Sequence, residues 1–276
     1  MNREIKAHYG SDDLAAKIFE SLAKAGKEPD NLELKDLSVV DQLHTGGHLS
    51  TLELARKVGI SKEHIVLDAG CGIGGSSRLL AQTFGCKVTG VDLTPSFIDV
   101  AEQLAKSTRT SDLVSFVCAD ILNTSFLNNS FDVIWCQHTL MNINEKSAAF
   151  AEFRRVLKVG GIVVLHEIIK GNGEDIYLPV PWAATPDISL LISMQQMDTL
   201  IVDNGFSCRF LEDRTDQAKM WWDKVDAATQ KRANLPPAPL GPHIIFGDNG
   251  KLFGQTMSKN VNEGRIKLIE GVYVKS

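Results

Sequence analysis

The sequence predicts an α/β fold: a doubly wound, mostly parallel, seven-stranded sheet with an antiparallel hairpin at one edge and a helical cover at the N-terminus. Three observations carry this reading. From Ile65 onward, short apolar runs alternate with amphipathic helical stretches, the rhythm of strands buried on both faces and crossed by helices. A glycine-rich turn, residues 70–75, directly follows the first of those runs. Finally, two strand-like runs lie near the end of the chain, and the second is reached only through a long excursion, as in an edge hairpin. Right-handed crossovers between parallel neighbours complete the doubly wound arrangement.

Residues 14–25 read as a helix because Leu14, Ile18 and Leu22 recur one turn apart, with Asp12 or Asp13 to cap it and Gly26 and Pro29 to end it. Residues 32–43 form a second amphipathic piece that closes at HTGGH (44–48), and a short helix, 50–58, leads through Gly59 into the core. The expected strands are 65–68, 87–92, 114–119, 131–136 and 161–166; the helices between and after them are 76–84, 95–108, 146–157 and 194–204. Beyond Gly205 come a strand at 206–211 and a long helix at 213–232 bearing Trp221 and Trp222. A break containing Pro236, Pro237, Pro239 and Pro242 follows, then a helix at 250–261 and a last strand at 265–274. Residues 1–60 are expected to form a cover segment and 61–276 one domain, with inserts 168–193 and 213–263 capping it.

The net charge of −5 over 276 residues argues against a general electrostatic grip on nucleic acid or an anionic membrane. Residues 1–19 carry charge throughout and hold no apolar run of signal-peptide length, and no run elsewhere is long enough to span a bilayer. The cysteines, Cys71, Cys86, Cys118, Cys136 and Cys208, are scattered, odd in number and free of any CxxC spacing. They read as reduced thiols of a cytoplasmic protein. Oligomeric state is left open, a homodimer included.

The strongest constellation is Asp68-Ala69-Gly70-Cys71-Gly72-Ile73-Gly74-Gly75 between an apolar strand and a helix. Glycines there let the backbone turn tightly and approach a ligand, and the helix start offers free N–H groups. Gly70, Gly72 and Gly75 also satisfy the dinucleotide spacing GxGxxG, with Asp92 where such folds keep a ribose-binding acid. Three acids decide between ligands. Asp68 would repel a pyrophosphate but suits an ammonium group, Asp92 can accept both ribose hydroxyls, and Asp120 can accept an exocyclic adenine amine. All three end successive strands, at the crevice where open α/β sheets bind ligands. They suit a cationic, phosphate-free adenosine compound better than a dinucleotide, although each taken singly could be a helix or turn cap.

In these motifs the chain resembles class I S-adenosylmethionine-dependent methyltransferases of the ubiquinone/menaquinone-biosynthesis (methyltransferase type 11) kind, close to small-molecule members such as sarcosine/dimethylglycine methyltransferases. The matching pieces are LDAGCGIGG (67–75), GVDLT (90–94), CADI (118–121), FDVIWCQHTL (131–140) and FRRVLKVGG (153–161). Val159 stands where the family usually has proline. The resemblance implies a Rossmann-like domain, S-adenosyl-L-methionine as cofactor and S-adenosyl-L-homocysteine as its product. It implies that Gly70, Gly72 and Gly74, with Cys71 between them, cradle the methionine part. It further implies that Asp92 holds the ribose and Leu93 lies against the adenine. Asp120 and Ile121 would meet the adenine amine and ring, and Gln137 would lie beside the sulfonium with its backbone facing the cofactor. The expected reaction is methyl transfer to an O-, N- or C-nucleophile of a small molecule.

An acceptor that must lose a proton needs a base beside the cofactor, at the ends of the fourth and fifth strands. There the sequence offers Gln137-His138 and His166-Glu167. His138 is a candidate general base, and Glu167 could take that role or orient a cationic acceptor. The family's usual histidine pair after the position of Leu140 is replaced by Met141 and Asn142. Trp182 or Tyr177, in the loop after the fifth strand, could face a cation, whereas Trp221 and Trp222 read as core or subunit packing. Tyr9 and HTGGH resemble the segment these enzymes fold over the cofactor. His44 and His48 lack a third ligand, so no metal is expected, and His8, His64 and His243 read as surface or turn residues. The alternatives are a nicotinamide-dependent oxidoreductase, for which none of Tyr9, Tyr177 and Tyr273 supplies a Tyr-x-x-x-Lys set, and a non-catalytic cofactor-binding protein. A nucleic-acid methyltransferase would want an Asn/Asp-Pro-Pro-aromatic motif after the fourth strand, which is missing.

Overall fold

A computed structural model of the chain describes residues 13–232, 234, 238–247 and 250–276. The expectations for His8, Tyr9, Asp12, Pro236 and Pro237 lie outside the described residues. The helices of the N-terminal cover are α1 (Leu14–Lys24), α2 (Leu34–Asp41) and α3 (Gly47–Val58). Then follow β1 (Ile65–Ala69), α4 (Gly75–Phe84), β2 (Lys87–Asp92), α5 (Pro95–Ser107), β3 (Val114–Cys118) and β4 (Phe131–Gln137). The second half runs α6 (Lys146–Val156), β5 (Leu157–Lys170), α7 (Met194–Asp203), β6 (Phe206–Asp213), α8 (Thr215–Lys231), α9 (His243–Phe246), α10 (Gly250–Asn262) and β7 (Ile266–Lys275). Short 3-10 turns at Leu140–Asn142 and Pro186–Ile188 carried no periodic signal, being shorter than one repeat of any pattern.

The sheet has the order β3-β2-β1-β4-β5-β7-β6. Strands β1 to β5 pair in parallel, and β7 is antiparallel to both β5 and β6. This is the expected architecture, edge hairpin included. Helices cover both faces. One core joins Ile134 to Phe150, Phe153, Met197 and Ile201 on the side of α6 and α7. The other joins Trp135 to Leu54, Leu80, Ile98 and Ala101 on the side of α3, α4 and α5. On the cover, Leu14, Ile18 and Leu22 cluster with Phe97, Val100 and Leu104 of α5. The one-turn spacing that predicted α1 is therefore the face it buries.

The main departure is the length of β5, expected at 161–166 and found from Leu157 to Lys170. Its parallel partner β4 stops opposite His166, but β7 pairs with it from Ile162 to Lys170, so the ladder continues past the crevice. His166 and Glu167 are thus inside a strand rather than beyond its end. No helix of the described residues is long and apolar enough to cross a membrane.

Candidate functional site

The chain reverses between β1 and α4 through Gly70, Gly72 and Gly74, each in the left-handed region at φ +80°, +54° and +79°. The N–H groups of Gly70 and Cys71 donate to the Val91 carbonyl at 2.8 and 2.9 Å, which ties the turn to the end of β2. The glycines differ in what a Cβ would meet. At Gly70 it would strike Thr139, at Gly74 it would strike Phe116 and Arg78, and at Gly75 it would enter the Asp41 carbonyl of the cover. At Gly72 nothing lies within 4 Å. Gly72 borders an internal cavity of about 250 Å³, so it is the glycine whose bareness leaves room for a ligand; Gly74 is not in the wall.

The three acids meet at this cavity. Asp68 is buried and accepts from the Ser77 hydroxyl at 2.5 Å; burial pushes its carboxyl up to about 7. Asp92 accepts from the N–H groups of Gly72 at 3.0 Å and Thr94 at 2.9 Å. Burial raises its pKa in spite of these bonds. Each Asp92 oxygen has one such bond and keeps capacity for a ligand hydroxyl. Asp120 accepts from the Leu122 N–H at 3.0 Å. The bland reading of these acids as turn caps is therefore half of the truth: they organise the turns and still line the wall. Cys71, Leu93 and Ile121 line it with them.

Gln137, the last residue of β4, also faces the cavity. Its Oε1 accepts from Thr51, Ser76 and Trp135 at 3.1, 3.0 and 3.0 Å, while its buried Nε2 has no partner among the described residues. A buried amide donor is rarely left unmade. Together with Asp68 it offers a donor and an acceptor at the glycine loop, the complement of the carboxylate and ammonium of a methionine moiety. The site fits the cofactor that the motifs imply.

After β4 the chain turns on His138, whose φ of +53° is unusual for a residue with a side chain. Its N–H donates to the His166 carbonyl at 2.9 Å, and its ring stacks on that of His166 with centroids 5.1 Å apart. His44, from the loop before α3, packs edge-on against both rings. Burial holds the imidazoles neutral: His44 is pulled down to about 4, His166 to about 3, and His138 well below its ordinary value. His138 is in the cavity wall and its buried Nε2 has no partner among the described residues.

Glu167 lies elsewhere. It is fully buried and outside the wall, accepting from the N–H groups of Thr139 at 2.9 Å and Leu140 at 3.3 Å. Burial pushes its carboxyl up to about 7, with those amides pulling the other way. The strand continues through it, so its side chain points under the β4 loop instead of out of a strand end. In that position it holds the loop that carries His138.

Residues from the 168–193 and 213–263 stretches also reach the cavity. Trp182 and Trp222 both line it, and their indole N–H groups donate to Ser189 Oγ at 3.0 Å and Thr45 Oγ1 at 3.3 Å. Packing was the expectation for Trp222, but α8 folds back so that this residue meets the HTGGH segment. Of the two aromatics that could face a cation or simply pack, Tyr177 lies under Lys259 and Arg265 of this chain, 3.6 and 4.2 Å from its ring centroid, and is not in the wall. The sequence reading also missed Thr51, Ser76 and the buried pair Asp41–Arg78 at 2.8 Å, which locks α2 onto the glycine loop. Their partners are distant in sequence, and no local pattern marks them.

Residues 67–165 match the methyltransferase-domain family. Phosphoethanolamine N-methyltransferase 3 of Arabidopsis thaliana is 32% identical over 197 residues, covering 68% of this chain and 38% of that protein. The chain thus spans well under half the length of the plant relatives it matches. Phosphoethanolamine N-methyltransferase 2 of Haemonchus contortus, solved with S-adenosyl-L-methionine, superposes with a TM-score of 0.73 at 20% identity, over 85% of this chain and 54% of that one. A candidate sarcosine dimethylglycine methyltransferase from Galdieria sulphuraria gives 0.72 at 20% identity, over 96% and 99%. Motifs, strand order and likenesses agree: the chain carries a methyltransferase domain of the S-adenosylmethionine-dependent kind, with the class I Rossmann-like fold.

Proposed function

We propose that the chain transfers the methyl group of S-adenosylmethionine to an O-, N- or C-nucleophile of a small-molecule acceptor. The observation that carries the proposal is the meeting of Asp68, Asp92, Asp120 and the unpartnered Gln137 Nε2 around one cavity. When bound, the cofactor supplies an electrophilic methyl group on a sulfonium. Gly70, Cys71, Gly72 and Gly74 form the turn around its methionine part, with Asp68 facing the ammonium and Gln137 Nε2 the carboxylate. Asp92 holds the ribose, Leu93 and Ile121 flank the adenine, and Asp120 accepts from its amine.

His138 is the proton acceptor in this reading, since it lines the cavity and, among the described residues, its buried Nε2 has no hydrogen-bond partner. Glu167 positions it by fixing the Thr139 and Leu140 amides. Residues 1–60 act as the cover and 61–276 as the catalytic domain, with inserts 168–193 and 213–263 as the acceptor cap; Trp182 and Trp222 in the wall support this division. The scattered free thiols fit a cytoplasmic setting, and no nucleic-acid or membrane partner is invoked. Light scattering in solution tests for a homodimer.

Thermal unfolding tests the reaction class. S-adenosylmethionine and S-adenosylhomocysteine should raise the melting temperature, whereas NAD and NADP should leave it unchanged. Equal shifts from the nicotinamide cofactors would replace this proposal with a dehydrogenase.

A further inference from the structure

We infer that the acceptor at this site is an uncharged, largely apolar alcohol or phenol; the inference rests on the methyl-transfer reading above. Beyond the glycine loop the wall includes Met141, Pro181, Trp182, Trp222 and Met257, together with the polar residues Asn142 and Asn144. Four of them, Met141, Trp182, Trp222 and Met257, belong to a single buried apolar cluster. Both indole N–H groups are turned onto hydroxyls of the chain. The Asn142 amide nitrogen donates to the carbonyls of Trp182 and Ile188 at 2.7 and 2.8 Å. The side chains of Met141, Pro181, Trp182, Trp222 and Met257 themselves offer the cavity ring face, thioether and hydrocarbon.

Charge sharpens the argument. Among the described residues, no lysine or arginine lines the cavity, and these are the side chains that phosphates and carboxylates ordinarily require. The acids in the wall are Asp41, bonded to Arg78, and Asp68, Asp92 and Asp120 at the strand ends where the adenosyl group belongs. An ammonium at the outer wall would meet ring faces but find, among the described residues, no carboxylate beyond Asp41 and the three strand-end acids, and it would lie next to a sulfonium of like charge. A hydrocarbon body suffers no such loss and gains by leaving water.

His138 also lines the cavity, and its buried Nε2 has no partner among the described residues. One hydroxyl on an apolar body would satisfy it. In the reaction the hydroxyl oxygen forms the bond to the methyl carbon, and the carbon–sulfur electron pair stays on sulfur as the thioether. The hydroxyl proton passes to His138 Nε2. That oxygen becomes strongly acidic as its new bond forms, so a weakly basic imidazole is sufficient.

The test loads the full chain with S-adenosylhomocysteine, whose binding calorimetry measures separately, and follows tryptophan fluorescence during titration. The probes are farnesol, 4-octylphenol, phosphoethanolamine and dimethylglycine. A neutral probe should bind below about 100 μM and the two charged ones not below about 10 mM. Met257→Lys should weaken the neutral probe at least about tenfold, and Met257→Gln less, with S-adenosylhomocysteine affinity kept within about twofold. With S-adenosylmethionine the product should be the methyl ether, identified by mass. Tighter binding of a charged probe, no binding of either neutral one, or an unaltered Met257→Lys chain overturns the inference. Failure of S-adenosylhomocysteine to bind overturns the methyl-transfer reading instead.

Discussion

The Arg78 guanidinium donates to the Asp41 carboxylate at 2.8 Å with both side chains buried, and through this bond α2 is fastened to α4, the helix that follows the glycine loop. Removing one partner strands the other charge away from water. Asp41→Ala should therefore cost about 3–5 kcal/mol of stability, seen by calorimetry as a clearly lower melting temperature. A loss under about 1 kcal/mol would mean that the cover opens freely.

The glycines of the loop should separate into two kinds. Gly75→Ala drives a methyl group into the Asp41 carbonyl and should destabilise the fold. Gly72→Ala meets no atom, so it should cost only about 1 kcal/mol for its left-handed backbone. Its methyl group would occupy cofactor space, however, and S-adenosylmethionine affinity should drop by more than about tenfold, roughly 1.4 kcal/mol. Paired melting and calorimetric titrations of the two variants check the contrast.

Cofactor affinity should depend on pH through Asp68. Its carboxyl titrates at about 7 in the cofactor-free chain, raised by burial from 3.8, and only the ionised form pairs with an ammonium. The dissociation constant should then rise by up to about tenfold for each unit below pH 7 and level off above it. Folding stability moves the other way. A raised carboxyl contributes stability that is complete below its unfolded value and is lost as the pH rises through about 7. Asp68→Asn should flatten both dependences, and calorimetry across pH 5 to 9 measures them.

His138→Asn keeps a residue tolerant of the left-handed backbone but removes the imidazole. Turnover should fall by about 10²-fold or more, with S-adenosylmethionine affinity within about threefold. Unchanged turnover in steady-state assays would clear His138 of any role in proton transfer.

Glu167→Gln presents an amide NH₂ to backbone N–H groups that need an acceptor. Stability should fall by about 1–3 kcal/mol, and turnover should fall by about tenfold as the His138 loop loosens. The shape of the pH–rate profile should persist if, as proposed, Glu167 acts through the Thr139 and Leu140 amides and His138 takes the proton. A lost limb in that profile would make it an acid or base instead.

Much of this was legible in the sequence because it is written in short-range patterns. The period of Leu14, Ile18 and Leu22 marked α1, and apolar runs bounded by glycine and acid marked β1 to β4. The acids at 68, 92 and 120 could be placed at one crevice because each closes a strand of a parallel sheet, where strand ends must coincide. The length of β5 was not legible, since it depends on a partner, β7, about a hundred residues further on.

By itself, then, the sequence determined the doubly wound sheet, the glycine turn and the acid set, all of which follow from backbone conformation and periodic burial within a few residues. Only the tertiary structure decided which side chains meet. Thr139 and Glu167 are 28 residues apart, Asp41 and Arg78 37, and Thr45 and Trp222 177. Hydrogen-bond geometry and exclusion of water act across space, so they set Glu167 beneath the Thr139 and Leu140 amides and brought Trp222, packed as expected, to the cavity wall as well.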